Sequence, residues 1–252
     1  MNHPAKQVPL PAIQPLPTGL FTLADHETQA QQRMDEQAWA YFSGAAGDEL
    51  TLAANRAAWD ELRLLPRVLR PLAGGHTRVE LLGKTLATPL LLAPVAYQRL
   101  AHPDGEIASA HAAASQGAGL VLSTQASTTL EDVALAFGSY EGRGPLWFQL
   151  YMQHDRSFTR ELVQRAERAG YEALVLTVDA PSSGARDRER RAGFKLPAGV
   201  SAVNLKNMPA TAHSGTGSLF DSLPAHATTW ADIEWLLSIT RLPLVLKGVL
   251  HP

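Results

Sequence analysis

The sequence predicts an α/β protein built on a parallel sheet, and three observations lead to this prediction. Short apolar runs recur along the chain, amphipathic helical segments lie between them, and polar residues stand where several of the runs end. Strands that are buried on both faces read as continuous apolar runs. Because such strands are joined by right-handed crossovers, two architectures remain, a doubly wound sheet or a (β/α)8 barrel.

The N-terminal part of the chain precedes this alternation. Frequent prolines interrupt any apolar run long enough for a signal peptide, so we expect residues 1–22 to form an extended proline-rich arm. From residue 23 the spacing of Ala, Leu and aromatic residues predicts a helical section, which is broken at Gly44 and Gly47. A small hairpin is expected around Gly83. We interpret residues 23–252 as one domain.

The alternation itself supplies the expected elements. Five apolar runs predict strands at residues 90–93, 119–123, 146–151, 173–178 and 243–249. Helical spacing predicts helices at residues 105–116, 129–136, 157–169 and 230–239, the third of them ending at Gly170. Residues 181–229 are rich in Ser, Ala, Gly and Pro, and we interpret them as an excursion after the fourth strand. A complete barrel would need three further strand-helix units.

Composition and charge exclude several classes of function. Of the 252 residues, 18% are charged, and the formal net charge of −2 gives no indication of nucleic acid as a partner. The absence of cysteine excludes disulfides and thiolate ligands, and no histidine or carboxylate spacing predicts a metal site. The most apolar stretch is far shorter than the roughly 20 residues needed to span a bilayer. We expect a cytoplasmic protein with no membrane partner.

Polar residues stand at the ends of four expected strands, where barrel enzymes carry their active sites. They are Ser123 and Thr124 at the second strand, Gln149 and Tyr151 at the third, Thr177 and Asp179 at the fourth, and Lys247 at the fifth. A buried amide or hydroxyl without a partner costs roughly 1–3 kcal/mol. The partner is either a ligand or a neighbouring barrel residue or buried water, and the sequence leaves both open.

Lys247 is the most informative of these residues, because it places a charge in a strand that is expected to be buried. Lysine is almost never buried unpaired. It therefore predicts an anion or an electron-rich ring beside it, or a salt bridge to Asp179, and the two are compatible. A Schiff-base lysine, as in an aldolase, is a further alternative.

Six segments in a fixed order carry a family resemblance. They are YFSGAAGDELT (41–51), LLAPVA (91–96), AHPDGE (101–106), FQLY (148–151), LTVDAP (176–181) and LPLVLKGV (242–249). Together they resemble the FMN-dependent 2-hydroxy-acid oxidases and dehydrogenases, the family of glycolate oxidase, lactate oxidase and mandelate dehydrogenase. The resemblance implies a TIM (β/α)8 barrel and a flavoprotein oxidoreductase. It further implies oxidation of an L-2-hydroxy acid to a 2-oxo acid by hydride transfer to the FMN flavin.

The resemblance also implies roles for individual residues. Those expected to bind the cofactor are Pro94, Val95 and Ala96 beside the reactive edge of the flavin, Ser123, Gln149 and Thr177 on the ring, and Lys247 near its N1 and O2. Those expected around the substrate are Tyr41 and Arg186 at its carboxylate and Tyr151 near its hydroxyl-bearing carbon. Tyr151 and Asp179 are the catalytic candidates, with Asp179 orienting the family's catalytic histidine.

The chain also departs from the family pattern. The histidine and arginine that the family carries beyond the sixth strand have no counterpart, and neither do the phosphate-binding loops after the seventh and eighth strands. We therefore expect a chain truncated after the fifth barrel strand, with about the first five β/α units, whose turnover depends on residues outside it. The alternative is a non-catalytic flavin-binding or assembly fragment. Complete members are commonly homotetramers.

Overall fold

The computed structural model describes residues 16–181, 184–209 and 227–251. These residues form two compact units. The first unit comprises residues 78–181, 198–209 and 227–251, and the second comprises residues 16–77 and 184–197. Most of the expected proline-rich arm lies outside the described residues. The interpretation of residues 23–252 as one domain stays a prediction.

The second unit is helical in its N-terminal part, as the sequence predicts. Its first three helices are α1 (Leu23–Arg33), α2 (Glu36–Ser43) and α3 (Leu50–Glu61). Thr22 begins α1 with a capping box, and the Asp35 carboxylate begins α2 by accepting a backbone amide of its first turn. The expected breaks at Gly44 and Gly47 fall between α2 and α3.

The first unit begins with the small hairpin expected around Gly83. Strands β1 (Val79–Leu81) and β2 (Lys84–Leu86) pair antiparallel. The two turn residues between them, Leu82 and Gly83, have φ values of 48° and 76°. A two-residue turn of type I′ needs positive φ at both positions, which glycine adopts without steric cost.

Five parallel strands form the sheet of the first unit. They are β3 (Leu91–Leu92), β4 (Gly119–Leu122), β5 (Leu146–Leu150), β6 (Ala173–Thr177) and β7 (Leu244–Lys247). Their order across the sheet follows their order in the chain. This order is that of a (β/α)8 barrel, because a doubly wound sheet reverses direction at a switch point.

The central and outer strands of this sheet differ in burial. Every residue of β4, β5 and β6 is buried, whereas β3 and β7 are partly exposed. Among the described residues β3 and β7 each have a neighbour on one side only. The expectation that the fifth strand is buried is therefore wrong. An apolar run predicts that a strand forms, whereas its burial also depends on whether strands pack on both of its sides.

Helices flank the sheet at the positions that the sequence predicts. In chain order they are α4 (Gly105–Ser115), α5 (Leu130–Gly138), α6 (Arg156–Ala169) and α8 (Trp230–Ile239). The short α7 (Asp187–Ala192) comes between α6 and α8 in the chain and belongs to the second unit. Helix α6 buries Phe158, Leu162 and Ala166 in the core. It ends at Gly170, which has a φ of 85° and serves as the expected left-handed cap.

The excursion after β6 contains more regular structure than its composition indicates. It includes α7 and a 3-10 turn at Val203–Leu205, neither of which the sequence predicts. Asn204 of this turn is buried, and its side chain accepts from the Leu130 amide at 3.0 Å and donates to the Thr128 carbonyl at 3.2 Å. These bonds fasten the turn to the start of α5.

The described part of the chain contains neither a membrane-spanning helix nor a cluster of metal ligands. Across residues 16–181, 184–209 and 227–251, each helix is too short or too polar to cross a membrane. In the same ranges no cluster of three or more His, Asp or Glu side chains is arranged to hold a metal ion.

Candidate active site

Gln149 is the centre of a hydrogen-bond network at the carboxyl edge of the sheet. Its Oε1 accepts from Ser123 Oγ at 3.3 Å and from the Thr124 amide at 3.2 Å. Its Nε2 donates to Thr177 Oγ1 at 3.0 Å, and Thr124 Oγ1 donates to the Gln149 carbonyl at 2.6 Å. All four residues are buried. The network therefore joins the ends of β4, β5 and β6.

The structure is compatible with both partners considered for these polar residues, a neighbouring barrel residue and a ligand. Neighbouring barrel residues accept or donate most of the hydrogen bonds of the Gln149 side-chain amide. Two donors are left over, the second hydrogen of Gln149 Nε2 and the hydroxyl hydrogen of Thr177, and neither bonds to a described residue. Because an unpaired buried donor costs roughly 1–3 kcal/mol, these groups still favour a ligand at the same edge.

Lys247 ends β7 and pairs with Asp179, which follows β6. Lys247 Nζ lies 3.3 Å from Asp179 Oδ1, and the two side chains are 42% and 46% exposed. The expected salt bridge is thus present on a side chain that is not buried. A half-exposed ion pair contributes at most about 1 kcal/mol. Stability alone is therefore a weak reason for a lysine at this position, and its ammonium group is accessible to a ligand.

Tyr151 follows β5 and lies close to Asp179. Burial raises the pKa of the Tyr151 phenol, and the negative charge of Asp179 raises it further. At neutral pH the phenol is therefore protonated and can donate a hydrogen bond. The Tyr151 amide donates to Thr124 Oγ1 at 3.3 Å, which ties the residue to the Gln149 network. Both catalytic candidates thus lie at the same edge as the candidate ring-binding groups.

The turn Pro94 to Ala96 follows β3 at the same edge of the sheet. The next residue, Tyr97, has φ 54° and ψ 44°, in the left-handed region. A non-glycine residue there costs about 1–2 kcal/mol, and such strain clusters at functional sites. The Tyr97 amide donates to the Gln125 carbonyl at 3.2 Å, so the turn after β3 is joined to the loop after β4.

Tyr41 and Arg186, the two residues expected at the substrate carboxylate, meet within the second unit. Arg186 Nη2 donates to the Tyr41 carbonyl at 2.5 Å and to the Gly44 carbonyl at 3.2 Å. The guanidinium lies 5.4 Å from the centre of the Tyr41 ring, and it also pairs with Glu189. The Tyr41 ring stacks on Phe194 with 4.9 Å between ring centres. Arg186 is therefore held by contacts on several sides.

Glu106, to which the sequence patterns give no role, is completely buried in the first turn of α4. Its carboxylate accepts hydrogen bonds from the loops after β3 and β4. The available signal was weak, because a glutamate near the start of a helix is also typical of an exposed first turn. Its bonding partners lie up to 22 positions away in the chain, which no local pattern reveals.

Comparison with known proteins gives consistent matches. The model of the FMN-dependent dehydrogenase family matches residues 30–252. Among curated relatives, the chain is 47% identical to an L-lactate oxidase of Alicycliphilus denitrificans, covering 94% of this chain and 65% of the relative. It is 38% identical to the rat 2-hydroxyacid oxidase 2, covering 92% and 64%, and 37% identical to glycolate oxidase 1 of Zea mays, covering 92% and 63%.

Solved structures agree with these matches. A mandelate oxidase with (S)-2-phenylpropionate aligns with a TM-score of 0.79 and 38% identity, covering 91% of this chain and 62% of that one. A mandelate oxidase variant with a C4a-OH-FMN adduct aligns with a TM-score of 0.78 and 37% identity, covering 90% and 62%. The chain therefore spans about 65% of the length of the curated relatives it matches, and its sheet is part of a TIM barrel.

Proposed function

Because the chain belongs to the FMN-dependent dehydrogenase family, we propose that it binds FMN and serves in the oxidation of an L-2-hydroxy acid to a 2-oxo acid. The observation that carries this proposal is the Gln149 network, which leaves donors unpaired at the carboxyl edge of the sheet. In a barrel this edge is the active-site face.

The groups at this edge fit the flavin ring. The ring's pyrimidine edge alternates carbonyl oxygens with nitrogen, so the spare hydrogens of Gln149 and Thr177 match its acceptors. Ser123 supports Gln149, Lys247 offers a positive charge beside the same strand ends, and the turn Pro94 to Ala96 offers backbone. When bound, FMN supplies the hydride acceptor that the amino acids lack.

The remaining candidates are assigned to the substrate. Arg186 and Tyr41 would bind its carboxylate, since a planar guanidinium is suited to that group. Tyr151 would donate a hydrogen bond near the hydroxyl-bearing carbon, because its raised pKa keeps the phenol protonated. Asp179 would orient the base that takes the hydroxyl proton, and in the isolated chain its carboxylate pairs with Lys247.

Flavin titration tests the cofactor part of the proposal. FMN and riboflavin are titrated into the purified chain, and uptake is followed by the change in visible absorbance and the quenching of flavin fluorescence. Binding through the ring predicts that the two flavins have affinities within about threefold of each other, because the groups named above contact no phosphate. Absence of uptake for both flavins would refute the proposal.

Substrate oxidation tests the remainder. The FMN-loaded chain is mixed without oxygen with the L and D forms of lactate and mandelate, and with glycolate, and bleaching of the flavin is recorded. Because the base lies outside this chain, the proposal predicts bleaching by L forms that is slowed by roughly 10²- to 10⁴-fold for want of that base, and none by D forms. Flavin uptake without bleaching would favour the non-catalytic flavin-binding or assembly fragment. Borohydride trapping of a substrate on Lys247 would favour the aldolase alternative.

We also propose that the protein is cytoplasmic and a homotetramer when complete, with a small-molecule substrate and neither nucleic acid nor membrane as partner. The near-neutral charge balance argues against a nucleic-acid partner, and the homotetramer is carried over from the family resemblance. Light scattering of the protein at the full length of its relatives tests the tetramer, with any other stable mass contradicting it.

A further inference from the structure

The Glu106 carboxylate is completely buried and is held by hydrogen bonds alone. Its Oε1 accepts from the Gln98 amide at 3.1 Å and from the Ser127 amide at 2.8 Å. The Ser127 hydroxyl lies 3.0 and 2.9 Å from its two oxygens, and Thr128 Oγ1 donates to Oε2 at 2.8 Å. No lysine, arginine or histidine among the described residues pairs with it. Four donors and the start of α4 balance the charge.

These donors come from two different loops at the carboxyl edge of the sheet. Gln98 follows the turn Pro94 to Ala96 after β3, and Ser127 and Thr128 end the loop after β4 that begins with Ser123. The Arg99 amide also donates to Ser127 Oγ at 3.1 Å, so the hydroxyl that contacts Glu106 is shared by both loops. One carboxylate therefore fixes the loops to each other and to the first turn of α4.

The surrounding backbone is fitted closely to this arrangement. Tyr97 is in the left-handed region immediately before Gln98, and the bonds to the Gln98 amide and the Gln125 carbonyl hold it there. Gly105, directly before Glu106, has a φ of 46°, and a Cβ atom at this position would lie 2.8 Å from Arg99 Cγ. The start of α4 thus packs directly under the turn after β3.

We propose that Glu106 is the positioning residue that sets the turn Pro94 to Ala96 against the loop from Ser123 to Gln125, so that both present their groups to one flavin ring. This inference rests on the proposed FMN site. Glu106 acts through the two loops, because its own oxygens are occupied by their donors.

The test compares the isosteric Glu106→Gln with the same change at a carboxylate on the opposite edge. Glu172 precedes β6 at the amino edge of the sheet, where it pairs with Lys84 and Arg143, so Glu172→Gln is the matched control. Two properties are measured on the full chain, amide hydrogen exchange and the affinity and absorption spectrum of added FMN. Thr128→Val removes a single donor and serves as a graded second variant.

The proposal predicts faster exchange of the Gln98 and Ser127 amides in Glu106→Gln, by about 10-fold, because both amides then donate to a neutral amide oxygen in place of a charged carboxylate oxygen. FMN affinity falls about tenfold or more, and the fine structure of the flavin absorption band is blurred. Thr128→Val shows smaller changes of the same kind. In Glu172→Gln, the exchange rates of the loop amides and the FMN affinity per folded molecule stay within about twofold of those of the unchanged chain. The flavin spectrum is the same as with the unchanged chain.

Equal effects of Glu106→Gln and Glu172→Gln would overturn the proposal, because they would reduce Glu106 to a contributor to general stability. Unchanged loop exchange in Glu106→Gln would overturn it as well. Failure of the unchanged chain to take up FMN would instead refute the proposed function, while the exchange data still decide whether Glu106 fixes the two loops.

Discussion

Replacing Gln149 with leucine removes the side-chain amide that joins three strands at the carboxyl edge of the sheet. The substitution keeps the approximate volume but eliminates the bonds to Ser123, Thr124 and Thr177. The two hydroxyls can rotate toward other acceptors, whereas the Thr124 amide is fixed in the backbone and stays unpaired in a fully buried position. An unpaired buried amide costs roughly 1–3 kcal/mol and each lost neutral bond about 1 kcal/mol. We expect a total loss of about 3 kcal/mol.

Urea unfolding followed by circular dichroism measures this loss. With a slope of roughly 3 kcal/mol per M for a protein of this size, the midpoint should fall by about 1 M. The control is Gln116→Leu, which makes the same change at the exposed end of α4 and should alter the unfolding free energy by less than about 0.5 kcal/mol. Equal midpoints for the two variants would refute the view that the side-chain hydrogen bonds of Gln149 stabilise the carboxyl edge of the sheet.

Three further variants test other parts of the account. Burial lowers the pKa of His111, so the unfolded chain binds the proton first as pH falls, and the folded state should become less stable below about pH 6.5. Urea midpoints measured at several pH values should depend less on pH in His111→Leu, whereas the exposed-site control His102→Leu should keep the dependence. Equal pH dependence in the two variants would contradict this prediction. Asn204→Ala removes the side-chain hydrogen bonds that fasten the 3-10 turn to α5, and thermal unfolding should show a free energy of unfolding lower by about 2 kcal/mol. An unchanged free energy of unfolding would argue against this role of Asn204. Gly170→Ala should lower the free energy of unfolding by about 1 kcal/mol, because Gly170 has a left-handed φ. The control Gly138→Ala, at the end of α5, should leave this free energy nearly unchanged, and a larger effect at Gly138 than at Gly170 would contradict the cap assignment.

The sequence predicts the fold of the first unit well because its signals are local. Continuous apolar runs identify all five strands, and helical spacing identifies the helices between them. Gly83 and Gly170 mark a turn and a helix end, because each adopts a positive φ that other residues avoid. Helix α7 escaped prediction because its residues are mostly charged and show no apolar spacing against a core.

Burial and bonding partners depend on distant parts of the chain, and here sequence reasoning was less successful. The pattern of β7 is that of a buried strand, yet its exposure depends on a neighbouring strand that the described residues do not include. The role of Glu106 depends on donors from two loops, and that of Asn204 on a helix 74 positions earlier. Gln149 and Thr177 were found because an amide or hydroxyl within an apolar strand is visible in the sequence itself.

The most direct test of the central claim is to map the flavin site by NMR. FMN is titrated into the isotopically labelled chain, and shifts are recorded for the Gln149 side-chain amide, the backbone amides of residues 123–125, and two reporters at the amino edge of the sheet, Gly119 and Glu172. We predict shifts that saturate together at Gln149 and residues 123–125, with the reporters unchanged. Saturating shifts at the amino edge, or no shifts at Gln149, would contradict the claim that these strand ends bind the flavin ring.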